Sequence, residues 1–154
     1  MREINIEDRD RDLISLATDL IHRRYAPVRH HVAAVVLGAS GSIYHGVHVG
    51  WGRVNLCAEQ IALANALAEG ESAFVTCVAV MARAPSGATS VVSPCGTCRE
   101  MLRFFAPDLT VLVHDEGRVT KTYIADLLPA PWEPLSAGNY HESSVPETPG
   151  SRAR

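Results

Sequence analysis

The chain has 154 residues and a net charge of -3, from 14 Lys plus Arg against 17 Asp plus Glu. A chain of this length forms one domain of ordinary composition and is too short for two, since domains average ~100–200 residues. A weakly acidic chain without basic runs also lacks the charge pattern of proteins that bind nucleic-acid polymers or anionic membranes.

The N-terminal segment predicts a cytoplasmic protein. Its first ten residues, Met1 to Asp10, alternate charges where a secretory signal carries an apolar stretch, and no apolar run approaches the ~18 residues of a membrane span. In a reducing compartment, grouped cysteines are more often metal ligands or redox groups than disulfides. The chain has four cysteines, at positions 57, 77, 95 and 98.

The first half of the chain predicts a helix, a β-hairpin and a second helix. Residues 6–24 place their apolar side chains on one helical face, and residues 31–37 and 43–49 form two strands joined by a Gly-rich turn. Residues 50–56 contain Gly and Asn and are predicted to be a loop. Residues 57–69 are rich in helix formers, and Gly70 follows as a C-terminal stop.

The second half of the chain alternates predicted strands and helices. Strands are expected at 74–81 and 110–114, with a polar loop at 85–90, a helix after residue 93 that ends before Pro107, and a short helix at 123–128. Polar residues, Gly and Pro dominate 133–154, which predicts a disordered tail after a domain spanning 1–132. This order of elements predicts an α/β fold in which helices cover a sheet.

Three cysteines and a glutamate form the pattern that carries chemistry. Cys57 and Glu59 open one predicted helix, and Cys95 and Cys98 open another directly after Pro94. The positive end of a helix dipole lowers thiol pKa values and favours thiolate ligands. Three thiolates leave one zinc coordination position open for water, whose pKa zinc lowers to about 7. Glu59 is placed to shuttle its protons.

Simpler interpretations exist for each of these residues. A Cys-x-x-Cys pair also occurs in redox sites and structural zinc ribbons, so the three thiols could be buried or redox-active groups without a metal. Glu59 could be a solvated first-turn carboxylate that complements the helix dipole. Cys77 lies within an apolar strand and is predicted to be a core residue.

The motifs match the Cys₃ variant of the zinc deaminase signature and resemble the cytidine deaminase superfamily. The resemblance is strongest to the branch that contains blasticidin S deaminase and the homotetrameric cytidine deaminases. It runs over residues 25–132, and its matching stretches are Ala33-Ala34, Gly46-Val47, Cys57-Ala58-Glu59, Ser93-Pro94-Cys95-Gly96-x-Cys98-Arg99 and Ile124-x-x-Leu127-Leu128-Pro129. It implies a three-layer α/β/α sandwich around a five-stranded mixed sheet, one Zn²⁺ per subunit, hydrolytic deamination and a homotetramer or homodimer.

The chain departs from the family at the sugar-binding positions. Nucleoside deaminases of the family carry an Asn-x-Glu pair that contacts the sugar hydroxyls, and in this chain His48 and Gly50 stand at those positions. His30 corresponds to an aromatic residue that stacks on the pyrimidine. Gln60 replaces an Arg that offsets the thiolate charge, which leaves Arg99 as the candidate for charge balance.

The predicted function is zinc-dependent hydrolytic deamination of a cytosine-like aminoheterocycle. Cytidine is the default substrate of the family, and the missing sugar-binding pair makes a free base, a triazine-like ring or blasticidin S the alternative. A non-catalytic, zinc-stabilised binding module and a polynucleotide deaminase are the alternatives. Trp51 and Asn55 are predicted either to contact substrate or to play packing and loop-shaping roles. The candidate substrate contacts are His48, His30, Asn55, Trp51 and Ala58.

Overall fold

The computed structural model describes residues 1–132, which form eight strands, three α-helices and one 3₁₀ turn. In chain order these are α1 Asp8–Arg24, β1 Val32–Gly38, β2 Ile43–Val47, β3 Val49–Trp51, β4 Val54–Leu56, α2 Ala58–Ala68, β5 Phe74–Ala82, β6 Thr89–Val92, α3 Gly96–Phe105, β7 Thr110–Asp115, β8 Arg118–Tyr123 and the 3₁₀ turn Ile124–Leu127. The tail predicted at 133–154 lies outside the described residues.

The main sheet is mixed, as the sequence resemblance implied. Its strands follow the order β2-β1-β5-β7-β8, and β6 pairs with β5 beside that path. β5 and β7 run parallel, while the pairs β1–β2, β1–β5 and β7–β8 are antiparallel. The predicted five-stranded mixed sheet is therefore confirmed, and β6 adds a sixth strand along the second half of β5.

Helices cover both faces of this sheet, which confirms the three-layer α/β/α sandwich. Alternate residues of β1 point to opposite faces, so Val35 and Leu37 pack on the α1 side while Ala34 and Val36 pack on the side of α2 and α3. The apolar stripe of α1 is buried as its 3.6-residue periodicity predicts. No helix within 1–132 is both long and apolar enough to cross a lipid bilayer.

A buried ion pair joins α1 to the far end of the sheet. Lys121 Nζ on β8 lies 3.0 Å from Asp10 Oδ2, and the two side chains are only 10% and 4% exposed. Ile4 forms an isolated bridge with Lys121, so the N-terminal segment is also bound to β8. These contacts tie the two ends of the described chain together.

Two predicted loops are wrong, because both contain paired strands. Residues 49–51 and 54–56 form a hairpin, in which Gly52 takes a φ of +55° that closes the two-residue turn between Trp51 and Val54. Residues 89–92 pair with β5 instead of continuing the polar loop. A fourth strand that was not predicted, β8, lies between the predicted turn and the predicted short helix. All four are segments of three to six residues whose pairing depends on partners elsewhere in the fold.

Candidate active site and metal centre

The three predicted thiol ligands converge although 38 residues separate the first from the second. Cys57 is the residue before the first turn of α2, and Cys95 holds the same place before α3. The Sγ atoms of Cys57 and Cys95 lie 3.5 Å apart, and all three Sγ atoms lie within 4.8 Å of one another. Both helices thus direct their N-terminal backbone amides toward one cluster of sulfur atoms.

Gly46 allows α2 to approach the sheet closely. A Cβ atom at this position on β2 would lie 2.2 Å from the Ala58 carbonyl oxygen and 2.4 Å from the Ala62 amide nitrogen. The backbone of the helix therefore rests directly on the backbone of the strand. This contact fixes the height above the sheet at which Cys57 and Glu59 emerge.

Gln60 secures the start of the same helix. Its Oε1 accepts a hydrogen bond of 3.0 Å from the backbone N–H of Cys57, in the arrangement of a capping box. The residue that replaces the family's arginine therefore caps the helix that carries the first thiol.

Glu59 is buried beside the thiols, with 5% of its surface exposed. The alternative of a solvated first-turn carboxylate is therefore wrong. Burial raises the pKa of Glu59 above its usual range, while its own backbone amide, the Cys98 thiol and His48 act in the opposite direction. A buried carboxyl with a raised pKa is suited to accepting and returning protons near neutral pH.

Without a cation between them, two of the three thiols disfavour the thiolate form. Burial raises the pKa of Cys57 to about 11, and burial followed by the charge of Glu59 raises the pKa of Cys98. Cys95 differs, because the effect of its burial is outweighed by hydrogen bonds from the Cys98 backbone amide and the neighbouring thiols, which lower its pKa. A divalent cation would supply the positive charge that this set lacks.

The donor set fits zinc. Tetrahedral coordination with Zn–S distances of about 2.3 Å requires sulfur atoms about 3.8 Å apart, which the observed cluster approaches. Three sulfur ligands leave one tetrahedral position free. Cys77 does not complete the set: it is 3% exposed within the core, as predicted.

A cavity of about 230 Å³ opens onto the thiols and Glu59. Three of the predicted substrate contacts line it, namely His48, Asn55 and Ala58. The remaining lining residues are His31, Val32, Cys57, Glu59, Val92, Ser93 and Cys95. His31 lines the cavity in place of the predicted contact His30, its neighbour in the chain. Neighbouring residues near a strand face opposite ways, and the sequence does not show which of the two histidines continues the alternation of the strand that begins at Val32 toward the cavity.

The other predicted residues have different surroundings. The Nδ1 atom of His30 donates to the backbone oxygen of His48 at 2.7 Å. Trp51 is 73% exposed on the β3–β4 hairpin, so it does not pack in the core. Arg99 donates to the carbonyl oxygens of Pro94 and Leu127 at 2.9 and 3.3 Å, which ties the start of α3 to the end of the 3₁₀ turn. Its part in charge balance stays a prediction.

His48 is buried and held on all sides. Its Nε2 lies 2.5 Å from Asn55 Oδ1, and its backbone N–H donates to Val32 at 2.8 Å. The rings of His48 and His31 have centroids 4.2 Å apart. Burial and the charge of His48 lower the pKa of His31. Two imidazoles and an amide therefore form part of the cavity wall.

Residues 7–114 match the family model described as "Cytidine and deoxycytidylate deaminase zinc-binding region". The chain is 40% identical over 136 residues to a blasticidin-S deaminase from Bacillus cereus, covering 84% of this chain and 96% of that protein. It is 30% identical over 122 residues to a cytidine deaminase from Sporosarcina psychrophila, covering 76% and 86% of the two chains.

The fold is also found among solved structures. The chain superposes on the crystal structure of the cytidine deaminase from Bacillus anthracis with a TM-score of 0.71 and 23% identity, over 81% of this chain and 90% of that one. This likeness supports the sandwich and its sheet.

Proposed function

The chain belongs to the cytidine and deoxycytidylate deaminase family, and from that premise we propose that Cys57, Cys95 and Cys98 hold its zinc and that Glu59 transfers protons in the reaction. Family membership makes the protein a zinc-dependent enzyme that hydrolytically deaminates cytosine-like compounds. A non-catalytic zinc module is thereby set aside. The observation that supports the residue roles is the cluster of three thiols, of which Cys57 and Cys95 line the same cavity as the buried carboxyl of Glu59.

When bound, zinc acts as a Lewis acid that makes a water molecule acidic enough to yield hydroxide near neutral pH. The residues of the chain supply the proton transfers. The Glu59 carboxylate accepts the first proton of the water and delivers it to the ring nitrogen. It then accepts the second proton, from the hydroxyl that has added to the ring carbon, and delivers it to the amine, which leaves as ammonia. Its burial strengthens these transfers, because little bulk water competes for the carboxylate oxygens.

Replacement of Glu59 by Gln tests this role. Glu59→Gln keeps the size of the side chain and removes its ability to carry a proton, so we expect a ~10²–10⁴-fold loss of kcat with zinc content unchanged. Glu69→Gln is the matched control, since Glu69 is an exposed residue at the C-terminus of the same helix. Full activity of zinc-loaded Glu59→Gln protein would contradict the proposed role.

We further propose that blasticidin S, a cytosine-bearing nucleoside antibiotic, is the preferred substrate. Two observations support this proposal. The relative named for that reaction is 40% identical to this chain and covered almost completely, against 30% for the relative named a cytidine deaminase. In addition, the resemblance places His48 and Gly50 at the family's pair of sugar-binding positions. Cytidine is the second candidate, because the family model and the second relative both favour it.

A substrate panel distinguishes these candidates. Purified zinc-loaded protein is given cytidine, deoxycytidine, cytosine, azacytosine and blasticidin S, and ammonia release is measured for each. The proposal predicts the highest kcat/KM for blasticidin S. A higher kcat/KM for cytidine would reverse the assignment and leave the deaminase chemistry in place.

We infer that the protein self-associates as a homotetramer or homodimer. Large apolar side chains exposed on the described surface support this inference, since contiguous apolar patches mark association sites. They include Trp51, Val54 and Leu56 on the hairpin and Phe104 and Phe105 on α3. Light scattering after size exclusion gives the mass directly, and a monomer at micromolar concentration would contradict the inference.

We also propose a cytoplasmic location. Four free thiols, three of them in one cluster, are typical of reducing compartments. Fractionation of the producing cells with an antibody tests this, and recovery of the protein outside the cytoplasmic fraction would contradict it.

A further inference from the structure

Hydrogen bonds to the ring and to the backbone of His48 hold this residue in place in the cavity wall. Asn55 Oδ1 is an acceptor, so the Nε2 atom that lies 2.5 Å from it carries the proton. The backbone of His48 is bound at both ends, since its N–H donates to Val32 and its oxygen accepts from His30. The residue is 7% exposed, and its ring cannot rotate without breaking the hydrogen bond to Asn55.

Gly50 lies against this ring and leaves no room for another side chain. A Cβ atom at position 50 would lie 2.5 Å from the Val28 carbonyl oxygen and 2.8 Å from His48 Cε1. The Gly50 amide also donates to Arg29, which holds this backbone in place. A functional group at position 50 and the observed His48 ring therefore exclude one another.

The part of the cavity wall formed by His31, His48 and Asn55 offers no carboxylate that could accept from a pair of hydroxyl groups. Two neighbouring hydroxyls are held best by a carboxylate, which accepts from both. Glu59 is the only carboxylate among the described residues that line this cavity, and it lies at the thiol end. Asn55 Oδ1 is already bonded to His48, and His48 Nδ1 is buried without a hydrogen-bond partner among residues 1–132.

We propose that His48, held by Asn55 against Gly50, determines which N1 substituents of a cytosine compound the cavity accepts, and that turnover does not depend on hydroxyl groups on that substituent. The inference rests on the proposed function, because it concerns the substrate of the same site. Substrate specificity then arises from the shape of the cavity wall and from contacts to the cytosine ring of the substrate.

The first test compares kcat/KM for cytidine and 2′,3′-dideoxycytidine. A site that hydrogen-bonds hydroxyls rejects the analogue that lacks them by ~10⁴-fold or more, whereas we expect dideoxycytidine to retain at least about one tenth of the cytidine value. Any smaller retained value overturns the inference. If no compound of either panel is deaminated by zinc-loaded protein, the proposed function fails as well, so the two failures are distinguishable.

The second test removes the partner of His48. Asn55→Ala is expected to raise KM about tenfold while kcat stays within about twofold, because the freed ring alters binding more than the chemical step. Asn55→Asp keeps an acceptor for Nε2–H and should restore KM. Asn65→Ala is the matched control, since Asn65 donates to the backbone oxygen of His45 outside the cavity.

A spectroscopic readout separates this role from a structural one. In ¹⁵N-histidine NMR of the zinc-loaded protein, His48 should be protonated at Nε2, and Asn55→Ala should mix the two tautomers. An unchanged KM and an unchanged tautomer in Asn55→Ala overturn the proposal. If Asn55→Ala does not fold, the KM of Asn55→Asp and the wild-type ratio of kcat/KM for dideoxycytidine and cytidine still test the proposal.

Discussion

Gly46→Ala adds a single methyl group where β2 meets α2, and the structure allows its effect to be worked out. The new Cβ would lie 2.2 Å from the Ala58 carbonyl oxygen, whereas ordinary contacts begin at 3.4 Å. The obstructing atoms belong to helix backbone and cannot rotate aside as a flexible side chain would. We therefore expect α2 to recede from the sheet by about 1.2 Å, the difference between these two distances.

This movement acts on the reaction because the displaced end of α2 carries the site. Cys57 precedes its first residue, and Glu59 lies in its first turn. A misplacement of about 1 Å costs ~100-fold in rate, and overpacking of this kind costs ~1–3 kcal/mol of the free energy of unfolding. We expect kcat and the free energy of unfolding to fall together, and we expect the variant to bind zinc more weakly.

Three measurements on Gly46→Ala check this expectation: kcat on the best substrate, zinc per chain by atomic absorption, and urea unfolding. His45→Ala serves as the control, since it alters the exposed neighbour on the same strand. Wild-type kcat together with an unfolding free energy within about 0.5 kcal/mol of wild type, the ordinary scatter of surface substitutions, would show that the close approach of α2 to β2 does not control the site.

Two further predictions concern stability. Asp10→Ala should lower the free energy of unfolding by about 3–5 kcal/mol, because it leaves the buried Lys121 ammonium unpaired, whereas the double variant Asp10→Leu/Lys121→Met should unfold near the wild-type urea concentration. An equal loss in the double variant would contradict this explanation. The pKa of His31 is lowered on folding, so the unfolded chain binds more protons below its ordinary value of 6.5 and the free energy of unfolding falls as pH drops through that value. His31→Asn should reduce the dependence of the free energy of unfolding on pH between pH 7 and 5. The same pH dependence in the variant and in the wild type would contradict this explanation.

The two halves of the zinc set could be predicted from the sequence because the spacing within each half is local. Cys57 and Glu59 lie within one helical turn, and Cys95 and Cys98 are three residues apart on another, so spacing alone places each pair. The predicted α/β fold followed from the same kind of evidence, since buried strands and amphipathic helices have recognisable periods.

The substrate end of the cavity could not be predicted in this way. The sequence offered His30 as a substrate contact, and the structure places His31 in the cavity wall and turns His30 onto a backbone oxygen. Neighbouring residues face opposite ways near a strand, so an error of one position exchanges the two. The residues 49–56, predicted to be a loop, form a hairpin for a similar reason, because strand pairing depends on a partner.

The metal chemistry, the family and the order of most helices and strands can be read from the chain alone, because they depend on residue types and short spacings. The three-dimensional fold was needed to establish that Glu59 is buried, that the thiols of two helices meet, and that Gly46 and Gly50 permit the close approaches which position α2 and His48. Those properties depend on contacts between segments far apart in the chain, where small shifts decide whether two groups pack or clash.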